Sequence, residues 1–169
     1  MKNIVSTILV AALIVLSGNR SAFAGNGPGG GNAVTGSAFH VITPSNAGLV
    51  SYNRSWVYVN TTGSTWVGVV ANNGNYGGLG AGSFSGTVNA TLYFYGNGNN
   101  LTCELELTNV ANSSLYYNDV VGSNVSGYSS MTFTVTVPPG SAGIYGSDIY
   151  CNLPYETGTG QPAYVFMTQ

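Results

Sequence analysis

Two cysteines, each set in a run where apolar and polar residues alternate, constrain this chain more than any other feature. Around Cys103 the apolar positions are Leu101, Cys103, Leu105 and Leu107, with Thr102, Glu104, Glu106 and Thr108 between them. That is the period of a half-buried strand, so Cys103 points into a core. Around Cys151 the same alternation puts Ile149, Cys151 and Leu153 on one face and Asp148 and Asn152 on the other. Both thiols face inward, and in an oxidising compartment they are expected to bond to each other. The long loop such a bond closes makes it worth about 4 kcal/mol, a large share of a small domain's net stability. Two cysteines and a single histidine cannot complete a tetrahedral zinc site, and there is no Cys-x-x-Cys redox motif.

The start of the chain supplies the compartment. Lys2 precedes the apolar run Ile4 to Leu16, and Ala22-Phe23-Ala24 offers the small residues a signal peptidase needs. Residues 1–24 are read as a cleaved signal peptide, 25–36 as a flexible glycine-rich arm, and 37–169 as one domain, secreted or periplasmic. The apolar run is short for a membrane span, so no membrane insertion is expected after cleavage. The mature chain keeps Arg54 as its only strong base against Glu104, Glu106, Asp119, Asp148 and Glu156. Nucleic acid is excluded as a partner on that ground, because phosphate binding needs clustered Lys and Arg.

No stretch after residue 24 keeps a helical period over two turns; the segments that alternate are strands. They run Ser37 to Thr43, Ser55 to Asn60, Thr65 to Val70, Thr87 to Tyr95, Leu101 to Thr108, Leu115 to Val121, Ser130 to Val137, Tyr145 to Leu153 and Ala163 to Thr168. The Thr61–Ser64 turn predicts a hairpin between the second and third, with Trp56 and Trp66 on opposite faces, one core and one at least partly exposed. Gly96–Asn100 predicts a second hairpin, joining Thr87–Tyr95 to the Cys103 strand. Asn72 to Gly82 reads as a surface loop. Eight or nine short strands with close turns indicate a single antiparallel β-sandwich, immunoglobulin-like or jelly-roll, with one disulfide.

The last third resembles a loose group of small secreted bacterial proteins of unassigned function. The resemblance covers about residues 88–169 and rests on the strand with Thr102-Cys103, a strand rich in Thr and Val, Pro138-Pro139-Gly140, and Tyr150-Cys151-Asn152-Leu153-Pro154. It implies a disulfide-bonded sandwich and an exported location, and no activity.

Catalytic constellations are missing from the sequence. A Ser-His-Asp or Cys-His device would need His40, the sole histidine, which reads as an ordinary strand residue. Glu104 and Glu106 lie roughly 7 Å apart along one strand. They point the same way and cannot flank a glycosidic bond. Asp119 and Asp148 could lend oxygens to calcium, but no loop gathers carboxylates at one place. No catalytic residue, metal or cofactor is therefore expected. The Asn-x-Ser/Thr sequons at Asn53, Asn60, Asn89, Asn100, Asn112 and Asn124 are what an Asn, Ser and Thr-rich chain yields by chance.

Surface chemistry remains. Twelve tyrosines are present, with Tyr93 and Tyr95 outward on a strand and Tyr76, Tyr128 and Tyr155 in loops. Trp56, Trp66, Tyr93 and Tyr95 are the candidates for stacking on a ligand. The sequence points first to an exported non-catalytic sandwich acting in surface, matrix or filament structure or adhesion. A second copy would be its partner if the arm and first strand were donated to a neighbour, against the favoured reading that the first strand pairs within its own domain; the alternative function is a secreted carbohydrate-binding module holding extracellular glycans with those aromatics.

Overall fold

The computed structural model describes residues 34–53, 55–63, 66–76, 83–158 and 162–168. Residues 1–24, read above as a signal peptide, and 25–33 of the stretch read as a glycine-rich arm lie outside the described residues. The strands are β1 (Val34–Thr35), β2 (His40–Val41), β3 (Val50–Tyr52), β4 (Val57–Val59), β5 (Val67–Tyr76), β6 (Gly86–Asn97), β7 (Leu101–Asn109), β8 (Tyr116–Ser123), β9 (Ser126–Val137), β10 (Tyr145–Leu153) and β11 (Tyr164–Thr168). Sheet A runs β3-β4-β11-β6-β9, with β1 also on β11; sheet B runs β2-β5-β10-β7-β8. All the strand pairings are antiparallel.

The strands from β4 to β11 form two interleaved four-stranded sheets, β4-β11-β6-β9 over β5-β10-β7-β8. This is the jelly-roll arrangement, which decides between the two sandwich types. The core is the alternate residues of both sheets. Val88, Ala90, Leu92 and Phe94 of β6 meet Leu101, Cys103, Leu105 and Leu107 of β7 across it, with Phe133, Val135, Ile149 and Leu153 filling between them. Cys103 and Cys151 sit directly opposite each other in the β7–β10 pair and are bonded, in keeping with their inward alternation.

Both expected hairpins are corrected. β4 belongs to sheet A and β5 to sheet B, so the Thr61–Ser64 connection crosses the sandwich. The Asn97–Leu101 connection likewise carries the chain from β6 in sheet A to β7 in sheet B. In each case two consecutive strands bury one face, and period 2 specifies the face without specifying the sheet. Neither tryptophan is core. Trp56 is half-buried on sheet A, and Trp66 is 39% exposed where β5 begins. Asn72 to Tyr76 is not loop but the second half of β5, held by a bulged register with β10.

The first strand also differs from expectation. Gly36–Ala38 is a 3-10 turn and only His40–Val41 is extended. The segment has to pass from β11 in sheet A to β5 in sheet B, so it cannot run as one strand. Phe39, 2% exposed, anchors the crossing in the core. Gly36 is required there: a Cβ on it would strike the backbone carbonyl of Val165 and come 2.6 Å from the Cα of Trp56.

Candidate functional site

The outer face of sheet A is built by alternation. Val57 and Val59 point inward on β4, so Trp56 and Tyr58 point outward. Ala163 and Val165 are buried, so Tyr164 faces out on β11. Leu92 and Phe94 turn Tyr93 and Tyr95 outward on β6, and Met131 and Phe133 do the same for Tyr128 on β9.

The register then lines these residues up. Tyr164 pairs with Tyr95, Tyr95 pairs with Tyr128, and Val165 pairs with Val57, which sets Tyr58 beside Tyr164. The result is a row of four tyrosines, one from each of β4, β11, β6 and β9, spanning roughly 14 Å at the usual strand spacing. Ring centroids are 5.4 Å apart for Tyr58–Tyr164, 5.7 Å for Tyr164–Tyr95 and 5.0 Å for Tyr95–Tyr128. Trp56 joins at 5.5 Å from Tyr164. Neighbouring rings are tilted or edge-on, from 48° for Trp56–Tyr164 to 84° for Tyr95–Tyr128, so the row presents faces and edges in turn. Tyr128, 82% exposed, ends it.

Polar groups border the row. Burial first, then the phenols of Tyr58 and Tyr95 and the carboxylate of Glu156, raise the Tyr164 hydroxyl above the ordinary tyrosine range. That hydroxyl is therefore a proton-bearing donor at any physiological pH. Glu156 is fixed by its backbone N–H, which donates to Thr61 at 2.9 Å. Asn60, outward past the end of β4, donates from its amide to the Ser51 hydroxyl at 2.7 Å.

Of the four aromatics singled out by sequence, the structure brings Trp56 and Tyr95 into this cluster. Tyr93 stands on the same face one repeat along β6, 40% exposed and opposite Ser130. Trp66 lies elsewhere, edge-on to Tyr155 at 5.1 Å, with its indole N–H donating to the Asn100 carbonyl. Tyr58 and Tyr164 were missed, although their alternation with Val57, Val59 and Val165 marks them as outward. Tyr76 and Tyr128 prove to be strand residues, in β5 and β9.

The other candidates are placed plainly. His40 is exposed on β2, its Nδ1 donating to the Ala38 carbonyl at 3.2 Å. Glu104 accepts from the Asn118 amide and Glu106 from the Thr108 hydroxyl, each at 2.6 Å, on the outer face of sheet B. Asp148 is bonded to Asn72 on that face, whereas Asp119 reaches toward β9 to accept from the Thr134 backbone, so the two share no site. No cluster of three metal-ligating side chains occurs among the described residues.

No protein-family model and no curated protein matches the sequence. Solved structures of similar shape include the CBM22-2 xylan-binding domain of Xyn10C from Paenibacillus barcinonensis, at 16% identity and a TM-score of 0.46, covering 82% of this chain and 96% of that one. The Glycosylation Associate Protein (Gap123) complex from Streptococcus agalactiae matches at 10% identity and a TM-score of 0.43, covering 82% of this chain and 24% of that one. TmCBM61 in complex with β-1,4-galactotriose matches at 8% identity and 0.38, over 82% and 84% of the two chains. The likeness is one of fold.

Proposed function

We propose that this protein is an exported, non-catalytic carbohydrate-binding sandwich that holds a glycan chain along the tyrosine row of sheet A. The observation that carries the reading is the row itself: Tyr58, Tyr164, Tyr95 and Tyr128 in one cross-strand line, with Trp56 beside it. Ordinary sheets stabilise themselves with cross-strand aromatic pairs, usually one pair at a time. Here the rings run on across four strands on the solvent side. Ring faces take the apolar faces of sugars, while the phenol hydroxyls, Glu156 and Asn60 offer donors and acceptors to sugar hydroxyls.

The reading as a filament or surface-lattice subunit has no comparable feature behind it. Val34–Thr35 and His40–Val41 pair with β11 and β5 of their own chain, which speaks against an arm donated to a neighbour.

A glycan array followed by tryptophan-fluorescence titration tests the proposal. Saturable binding to an oligosaccharide is expected, weakened about tenfold or more by Trp56→Ala and by Tyr128→Ala. Tyr128 is too exposed for its loss to disturb the core, so unchanged affinity in a folded Tyr128→Ala protein would remove the row from the site. An array without a hit, together with polymers of the purified protein under the electron microscope, would return the question to assembly.

A further inference from the structure

A concavity lies on the side of the molecule opposite the tyrosine row. On the outer face of sheet B one cross-strand row reads Gly68, Asn152, Thr102 and Gly122, and the next reads Val70, Tyr150, Glu104 and Val120. The first row is low because both of its ends are glycine. The second stands above it. The step between them, closed at one side by Ile42, is a groove of about 170 Å³ over the Cys103–Cys151 bond. The groove depends on Gly68, since even a Cβ there would lie 3.1 Å from Ile42 Cδ1. Drug-sized ligands occupy larger pockets than this, so it suits a single ring.

The surface the groove presents is almost wholly apolar, while Thr102, Glu104 and Asn152 are among the residues that surround it. Ile42 and Val120 are 50% and 53% exposed on a face that also carries Val70, Tyr116 and the polar residues Thr102, Glu104, Glu106, Thr108, Asn118, Asn72 and Asp148. Tyr150 stands between them, opposite Glu104. Glu106 faces Asp148 directly across the β7–β10 pair, an arrangement of like charges that a sheet by itself disfavours. His40 is the one basic side chain described here, and it is near Asp148 rather than Glu104 at the groove. Among the described residues Glu104 has no cation beside it, so charge complementarity favours a cation there, while the two aliphatic walls and the phenol ring favour an apolar face on the same ligand.

We propose that the groove over Gly68 is a second ligand site, taking a pyranose ring that bears a free amine. The ammonium is held by Glu104, the ring face lies on Tyr150 between Ile42 and Val120, and Asn152 and Thr102 bond the hydroxyls. This does not rest on the tyrosine row: the two sites are on opposite outer faces and either can exist without the other.

The test is an amide chemical-shift titration of the disulfide-bonded protein with four probes: β-1,4-linked glucosamine oligomers, their N-acetylated forms, the corresponding glucose oligomers, and butylamine. Shifts at Gly68, Val120 and Tyr150 are expected with the glucosamine oligomers, with binding about tenfold weaker for the N-acetylated and glucose forms. Glu104→Gln keeps the shape and the Asn118 bond and should lose the same tenfold. Gly68→Val should fill the groove and abolish those shifts, while Tyr128→Ala leaves them unchanged. Equal affinity for amine-bearing and neutral sugars would overturn the proposal, as would butylamine binding as well as the sugar. Shifts confined to Tyr95 and Tyr128 would overturn it too while sparing the reading of sheet A, and absence of any shift at these amides at millimolar probe would end it.

Discussion

Asp119 on β8 accepts a 2.7 Å hydrogen bond from the backbone N–H of Thr134 on β9, so a carboxylate from one sheet covers the edge of the other. β8 and β9 are the last strands of sheets B and A, and β9 is paired only with β6. The Thr134 N–H would otherwise stand free along a twelve-residue strand. An inward-leaning acid at such an edge satisfies the donor and blocks a second chain from pairing there.

Replacing Asp119 with alanine should lower stability by about 1 kcal/mol, the scale of one solvent-accessible charge-assisted bond, and should raise the tendency to aggregate. Urea unfolding and light scattering read the two effects. Asp119→Asn keeps an acceptor and should recover part of both. Identical curves for the alanine variant and the parent would show that the contact does nothing for the edge.

The Cys103–Cys151 bond closes a separation of 48 residues. Replacing both cysteines with alanine should cost about 4 kcal/mol, mostly through the larger freedom of the unfolded chain. The urea midpoint of that variant should match that of the reduced parent. Thiol labelling of the denatured, unreduced protein should find no free cysteine; two labelled thiols would refute the pairing.

Partial burial, with a smaller push from Glu106, holds the Asp148 carboxyl above its ordinary 3.8, against the Asn72 hydrogen bond and His40, which lower it. Between the unfolded and the folded pKa the native state binds the extra proton, so this group's contribution falls as pH rises through that window. The ionised form is the costly one. Asp148→Asn should therefore be more stable than the parent above the window and lose the advantage below it. Urea midpoints from about pH 3 to pH 7 would show this as a gap that opens with pH; a gap of constant size would mean that ionisation is not its source.

Phe39, buried at 2%, ties the N-terminal crossing to the core. Phe39→Ala should cost about 3–5 kcal/mol. Deleting residues 25–43 should lower the melting temperature at every protein concentration and expose apolar surface to dyes. A deletion product that stays fully stable and merely stops polymerising would instead identify the segment as an arm lent to a neighbour.

Much of the architecture was legible. Tyr145–Leu153 is the strand its alternation describes, end to end, and the inward faces of Cys103 and Cys151 put the two sulfurs in reach of each other. What could not be read was which sheet each strand joins. Val88 to Phe94 and Leu101 to Leu107 alternate identically whether the two strands lie side by side or face to face, and Gly96–Asn100 is long enough for either. The site suffers from the same blindness. Tyr58, Tyr95, Tyr128 and Tyr164 are scattered through the sequence, and only the β4-β11-β6-β9 order brings them into line. The groove over Gly68 needed the β5–β10–β7 register, because a lone glycine in a strand says nothing about what stands beside it.

The interleaved order of the sheets has a consequence for how the molecule comes into being. β10 sits between β5 and β7 and β11 between β4 and β6, so the last two strands of the sandwich occupy the middle of the two sheets. Until β10 is available β5 and β7 have no partner between them, and β4 and β6 have none until β11 follows. A fragment that stops before β10 contains no finished sheet and one that stops before β11 finishes sheet B alone, and closure rests on pairings distant in sequence, the kind that form in milliseconds to seconds rather than microseconds. β6 can pair with β9 and β7 with β8 early, but each sheet is joined into one only when its central strand arrives.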